Sequence, residues 1–287
     1  MMQGKNKSNI HVSFITISFM SALVLTVISW IFIMYESSHN IHRLFDSKTL
    51  IQANSLLTQL IGFNQNLTLS SQLNAWFDLR FLAYETLLMS LCAIGISGII
   101  ALASCIFATR TFHDGSLYGY PSIPFKVLYF GVRTLYSFTR AMPELILAII
   151  LMLFFTPGIW VATLALAIHN IGVLGKLYSE SIEDMNTASI KSLQTSGAKG
   201  GQLLFYTILP QLLPQFLTYL LYRWEVIIRT TVVVGLVSAS GLGREFRLSF
   251  SYFHYSDLGL LLIWYILLVV GVDLVCAGLR NLIKDRS

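Results

Sequence analysis

Six stretches of this chain are long and apolar enough to cross a bilayer, and this limits its fold more than any other feature. They run over Phe14–Met34, Phe81–Ala108, about Val127–Phe155, Trp160–Leu177, Pro214–Ala239 and Leu258–Leu279. A spanning helix needs roughly 20 apolar residues. The expected fold is therefore all-α: an integral membrane protein with about six transmembrane helices. Charge usage agrees, because 11% of the residues are charged where a soluble domain carries about 25%. Such a chain cannot solubilise its own surface, and 287 residues leave no room for a large extramembrane domain.

The formal charge of +5 is read through topology and not as a nucleic-acid signal. The first apolar run follows Lys5 and Lys7, is long, and is followed by no small-residue cleavage site, so it reads as a signal anchor. With the N-terminus inside, ten basic residues fall in cytoplasmic segments: Lys5, Lys7, Arg110, Lys126, Lys176, Lys191, Lys199, Arg280, Lys284 and Arg286. Five fall outside: Arg43, Lys48, Arg80, Arg244 and Arg247. Both termini are thus expected in the cytoplasm of a multi-pass chain. Residues 1–80 form an anchor helix and a polar external connector, and residues 81–287 the transmembrane core. Part of the connector, with Leu56, Leu57, Leu60 and Ile61 at helical spacing, either lies on the membrane as an amphipathic helix or is a solvated link. The sequon Asn66-Leu-Thr68 carries no weight.

Charges inside the spans are the next informative feature. Arg223, Glu225 and Arg229 lie near the middle of the fifth run. Facing lipid, three central charges would cost roughly 7–10 kcal/mol, so this helix is expected to face protein or a water-filled cavity. Glu225 and Arg229 stand four apart and are expected to pair along the helix, which leaves Arg223 to find another partner or a ligand. The third run adds Arg133, Arg140 and Glu144, with Pro143 interrupting its hydrogen-bond ladder. Two readings stand: Arg140, Glu144, Arg223, Glu225 and Arg229 line a translocation path, or they form buried ion pairs that fix helix register. His169 and Asn170 are polar residues in the apolar fourth run, and a histidine there reads as a helix–helix hydrogen-bonding residue ahead of a ligand. Asp273 and Glu85 are assigned no role.

Catalytic readings find no support. No zinc or hydrolase motif is present, and Cys92, Cys105 and Cys276 sit in apolar segments as packing residues. Gly172-Val-Leu-Gly175-Lys176-Leu177 is too short for a phosphate-binding loop and ends in Leu where a magnesium-holding hydroxyl belongs. Neither a catalytic residue nor a metal site nor a bound cofactor is expected in this chain.

Between the fourth and fifth runs lies Lys191–Pro210, expected in the cytoplasm and more ordered than a connector requires: a short helix, a bend at Gly197, and a second short helix stopped by Leu209-Pro210. Its register resembles the EAA loop of ABC-importer permeases, in which Glu-Ala-Ala, three residues, Gly, and nine residues precede Ile-x-Leu-Pro. Gly197, Leu209 and Pro210 are in register, Thr207 takes the Ile position, and Lys191-Ser192-Leu193 replaces Glu-Ala-Ala. The segments 140–144, 165–180, 209–225 and 235–243 resemble the phosphonate branch of these permeases, and the likeness covers roughly residues 80–280.

The resemblance implies a type I ABC importer transmembrane domain with a cytoplasmic coupling helix. It implies a pore built with a second copy of the chain in a bacterial cytoplasmic (inner) membrane. Two cytosolic ATPase subunits would bind ATP and Mg, and an extracytoplasmic binding protein would deliver a phosphonate or related phosphorus oxyanion. Lys191, Gly197, Ala198, Leu209 and Pro210 are then the ATPase-coupling loop, and Gly235, Gly241 and Gly243 the bend at the outer gate. An ion-gradient-driven secondary anion transporter and an importer for phosphate or phosphite are the alternatives.

Overall fold

A computed structural model describes residues 14–36, 46–60, 69–113, 123–185 and 188–284. Lys5, Lys7, Ile61, the Asn66–Thr68 sequon and Arg286 lie outside them, as does the side chain of Lys191. Every regular element among the described residues is helical. The backbone forms two compact units, one up to Gln59 and one from Leu60 onward. In the first, α1 (Phe14–Glu36) is apolar on all sides and buries none of its residues, as a lipid-facing span does. α2 (Ser47–Leu60) follows it.

The second unit opens with α3 (Leu69–Asp78) and α4 (Arg80–Ser104), which tightens into a 3-10 turn at Cys105–Ala108. A short α5 (Arg110–His113), α6 (Ile123–Ala141), α7 (Glu144–Met152) and α8 (Ile159–Glu183) come next. Then follow α9 (Ala188–Thr195), α10 (Gly200–Leu203), α11 (Leu209–Ser238), α12 (Gly241–Ser251) and α13 (Tyr255–Lys284).

The core lies between α4 and α8. α4 turns Ala83, Thr86, Ser90, Ala93, Ser97 and Ala101 inward, each at most 2% exposed, at the three- and four-residue spacing of one helical face. In a bilayer no hydrophobic effect drives helices together, so close packing of small side chains must do it. α8 answers with Ala162, Ala165, Gly175 and Ser179. A Cβ on Gly175 would stand 2.3 Å from the Tyr136 ring of α6, so the glycines rejected above as a phosphate loop serve helix contact. α3 is tied to α13 by Trp76, whose ring stacks on Trp264 at 4.5 Å and whose carbonyl accepts from Trp264 Nε1 at 2.8 Å.

Two expectations about spans are corrected. The third run is not one helix, because α6 and α7 meet at 94°. Pro143 lacks an N–H and disfavours helical geometry in the residue before it. α6 therefore stops at Ala141, and Pro143 is extended (φ −58, ψ 141) before α7 begins. Nor does Pro210 stop a short helix, since the helix runs unbroken from Gly200 through Pro210 and Pro214 to Ser238. A π-turn at Leu204–Ile208 makes this possible, with the Leu209 N–H reaching back to Leu204 O. The wide turn takes in an extra residue just where proline withholds a donor. It also resets the register: Leu203 and Ile208, five apart, are both buried. Ile208 thereby enters the core, where a plain α-helix would have presented Thr207.

Candidate functional site

The segment 188–210 is built as two helices around a glycine. α9 ends in a paired-bond cap, with Gly197 N–H on Gln194 O at 2.9 Å and Ala198 N–H on Leu193 O at 3.2 Å. That Schellman geometry requires a left-handed residue, and Gly197 supplies φ +83 with open space where a Cβ would point. Leu193 and Ala198 pack on the main core cluster, so the capped end is seated on the bundle. Gln202 Oε1 accepts from the Lys199 N–H at 2.8 Å and starts α10. Leu209 packs on the same cluster, whereas Pro210 is exposed at the start of α11. Lys191 lies within α9.

A polar cluster fills the break between α6 and α7. The Met142 carbonyl is bonded by His169 Nδ1 of α8 at 2.9 Å, and His169 Nε2 stands 3.5 Å from Glu144 Oε1. A carbonyl only accepts, so Nδ1 carries the hydrogen. The neighbouring Asn170 is fully buried; its amide donates to Leu166 O at 2.7 Å, and its Oδ1 accepts from Arg223 Nε at 2.8 Å and from Nη2. Beside Arg223, Trp224 donates to Ser90 Oγ of α4 at 3.2 Å. Glu144 and Arg223 thus come together around α8, joined by His169 and Asn170, which make helix–helix hydrogen bonds, as expected of the histidine. Their signal was adjacency: two strongly polar side chains in succession in an apolar span.

The remaining span charges sit elsewhere. Glu225 and Arg229 do not pair along α11. Glu225 binds Arg280 of α13, whose guanidinium lies 4.4 Å from the Tyr222 ring centroid, and Arg229 binds Asp273 of α13 at 2.8 Å. The Arg280–Glu225 pair is largely buried between the helices, where charges are screened less than along an exposed helix face. Arg133 pairs with Glu183 at 3.2 Å. Arg140 is exposed and lines a separate cleft of about 500 Å³ with Lys176 and Glu180. Arg280 gave no sequence signal beyond its count toward topology.

The predicted bend at Gly235–Gly243 is a corner of 56° between α11 and α12. Ala239 turns left-handed (φ 58, ψ 48), Ser240 is extended, and Gly241 has φ +54. Gly235 and Gly243 meet backbone to backbone, since a Cβ on Gly243 would lie 2.3 Å from Val232 O and 2.4 Å from Gly235 C. The unsatisfied N–H groups at the start of α12 are met from α4: Gly241 N–H by Glu85 Oε1 and Leu242 N–H by Thr86 Oγ1, both at 2.9 Å. A carboxylate suits the positive end of a helix, and Glu85 thereby acquires a role in fixing the corner.

With this geometry in view, comparison with known proteins is informative. Residues 115–286 match the family model described as "Binding-protein-dependent transport system inner membrane component". The phosphite transport system permease protein PtxC of Stutzerimonas stutzeri is 30% identical over 200 residues, 70% of this chain and 69% of that one. The putative cryptic phosphonate transport system permease protein PhnE2 of Escherichia coli K12 is 34% identical over 118 residues, 41% of this chain and 97% of that one. An inward-facing structure of the MetNI methionine ABC transporter superposes with a TM-score of 0.60 at 19% identity, over 71% of this chain and 95% of that one, a likeness of fold. The broken spans, the capped helix between α8 and α11 and these matches agree, and the chain belongs to the binding-protein-dependent ABC importer permeases.

Proposed function

We propose that this permease carries a phosphonate or related small phosphorus oxyanion inward across a bacterial cytoplasmic membrane. The observation that carries the reading is the Asn170–Arg223 and His169–Glu144 cluster at the α6–α7 break. A guanidinium aimed by a buried amide keeps further N–H donors for the oxygens of a passing oxyanion, and the carboxylate beside it disfavours tight retention, as a pore requires. The relatives named for phosphite and phosphonate transport support the same substrate class. Two copies of the chain form the pore, two cytosolic ATPase subunits hold ATP and Mg, and an external binding protein delivers the solute. ATP-driven closure of the ATPase pair moves the 188–210 segment and switches the cavity between outward- and inward-facing states. The test is reconstitution with the candidate ATPase and a panel of binding proteins. ATP hydrolysis stimulated by phosphonate- or phosphite-loaded binding protein is expected, and uptake driven by an ion gradient without any ATPase would overturn the reading.

Gly197 offers a sharper test of coupling. A side chain there meets no steric obstacle, but it must hold a left-handed conformation that costs about 1–2 kcal/mol. Gly197→Val is expected to reach the membrane in normal amounts while ATP hydrolysis no longer drives uptake. Normal binding-protein-stimulated uptake in that variant would remove the docking role from α9.

A further inference from the structure

A cleft of about 500 Å³ opens between the last turns of α6, which supply Ser137 and Arg140, and the second half of α8, which supplies Val173, Lys176 and Glu180. It continues from the cluster at the α6–α7 break. His169, Val173, Lys176 and Glu180 follow one another at spacings of four, three and four, which puts them on one face of α8. All four are half-buried, whereas Asn170, Leu174 and Tyr178 beside them are buried. That face runs from His169 toward the end of α8 that leads into the 188–210 segment, and Lys176 lies about 10 Å along it. On α6, Arg140 stands two residues before the Met142 carbonyl that accepts from His169. We propose that this cleft is a second binding site for a small phosphorus oxyanion, with the Arg140 guanidinium as its main donor. As a station for the transported solute, it rests on the function proposed above.

Arg140 is exposed, and its side chain has neither an ion pair nor a hydrogen bond to any described residue. A charge left on a span without a protein partner points to a water-filled path or a ligand. Its fork of N–H donors fits phosphonate oxygens two at a time. The acids nearby are engaged elsewhere: Glu180 is 3.3 Å from Lys176 on its own helix, and Glu183 is held by Arg133 at 3.2 Å. Arg140 and Lys176 against Glu180, two positive charges and one negative, leave the cleft with one positive charge. The Ser137 hydroxyl, one turn before Arg140, adds a neutral donor. Close packing fixes the backbone behind these groups, since a Cβ on Gly172 would stand 2.7 Å from Tyr136 O and 3.0 Å from Arg140 N. Glu180 competes with the anion for Lys176, so the solute is held weakly enough to leave, as successive sites along a path require.

The test is arginine modification by phenylglyoxal, with and without methylphosphonate, on the full chain in phosphatidylcholine nanodiscs and read residue by residue by peptide mass spectrometry. A site with a Kd of about 1 mM is about nine-tenths filled at about 10 mM, so modification of Arg140 should slow about tenfold. Arg247, exposed on α12, should react at an unchanged rate. Glu180→Gln frees Lys176 and should lower the concentration for half-protection about threefold. An ion pair that only fixed helix register would not give that gain. Equal Arg140 rates with and without methylphosphonate, or half-protection unmoved by Glu180→Gln, would overturn the proposal. So would protection in phosphatidylglycerol nanodiscs without any solute, which would mark a lipid headgroup site. Arg140 unprotected while the reconstituted transporter takes up methylphosphonate would remove this site and leave the transport function standing. Arg140 protected where methylphosphonate-loaded binding protein stimulates no ATP hydrolysis would keep the site and remove that function.

Discussion

Gly243→Val should leave almost no folded protein in the membrane. The new Cβ would stand 2.3 Å from Val232 O and 2.4 Å from both Gly235 C and Leu236 N. All three are backbone atoms of α11, so no side chain can turn aside to make room. Overpacking commonly costs about 1–3 kcal/mol and more where nothing yields, and this corner has no soft neighbour. Even Gly243→Ala should lower the melting temperature of the detergent-solubilised chain. Gly95→Ala and Gly131→Ala, which meet no atom within 4 Å, should not. If Gly243→Val were recovered in full yield with an unchanged melting temperature, the α11–α12 contact would have to open easily and could not be what sets the bend.

The second large effect is expected at Arg223. Removing it withdraws a charge-assisted partner worth about 1.5–3 kcal/mol, or roughly ten- to a hundredfold in uptake, and leaves Asn170 Oδ1 without its donors. Arg223→Lys keeps the charge but loses the fork, so it should restore assembly more than transport. Arg229 should behave differently, because its partner is Asp273 at 2.8 Å. Arg229→Gln alone strands a carboxylate and should lower the amount of chain in the membrane. Arg229→Gln with Asp273→Asn should recover that amount with uptake near normal, since removing both partners of a pair is often close to neutral. Uptake measured per folded chain separates the two arginines. If the loss in Arg223→Ala only tracks protein abundance, the α8 cluster is structural and carries no solute.

Much of the architecture was legible because hydropathy and proline are local signals. The apolar runs and the helix–glycine–helix form of 188–210 both follow from residues close in sequence. The partners of the span charges did not. Arg280 lies 55 residues from Glu225, and Asp273 lies 44 from Arg229. Periodicity within a single helix cannot choose between a neighbour one turn away and one on another helix. Glu85 was opaque for the same reason, since its role exists only once the start of α12 is folded against α4. Both prolines had been read by their average behaviour. Pro143 does break its helix, whereas Pro210 is absorbed by a π-turn that no local propensity announces.

That π-turn has a mechanical consequence. With no interruption between Gly200 and Ser238, one helical shaft of about 58 Å, at 1.5 Å per residue, joins the 188–210 segment to the α11–α12 corner. A hinge at Pro210 would have let the two ends move independently. The continuous helix instead ties the two ends into one element, and the chain leaves it at the left-handed Ala239. Arg223 and Arg229 both lie on this shaft, between Lys199 and the glycine-packed bend.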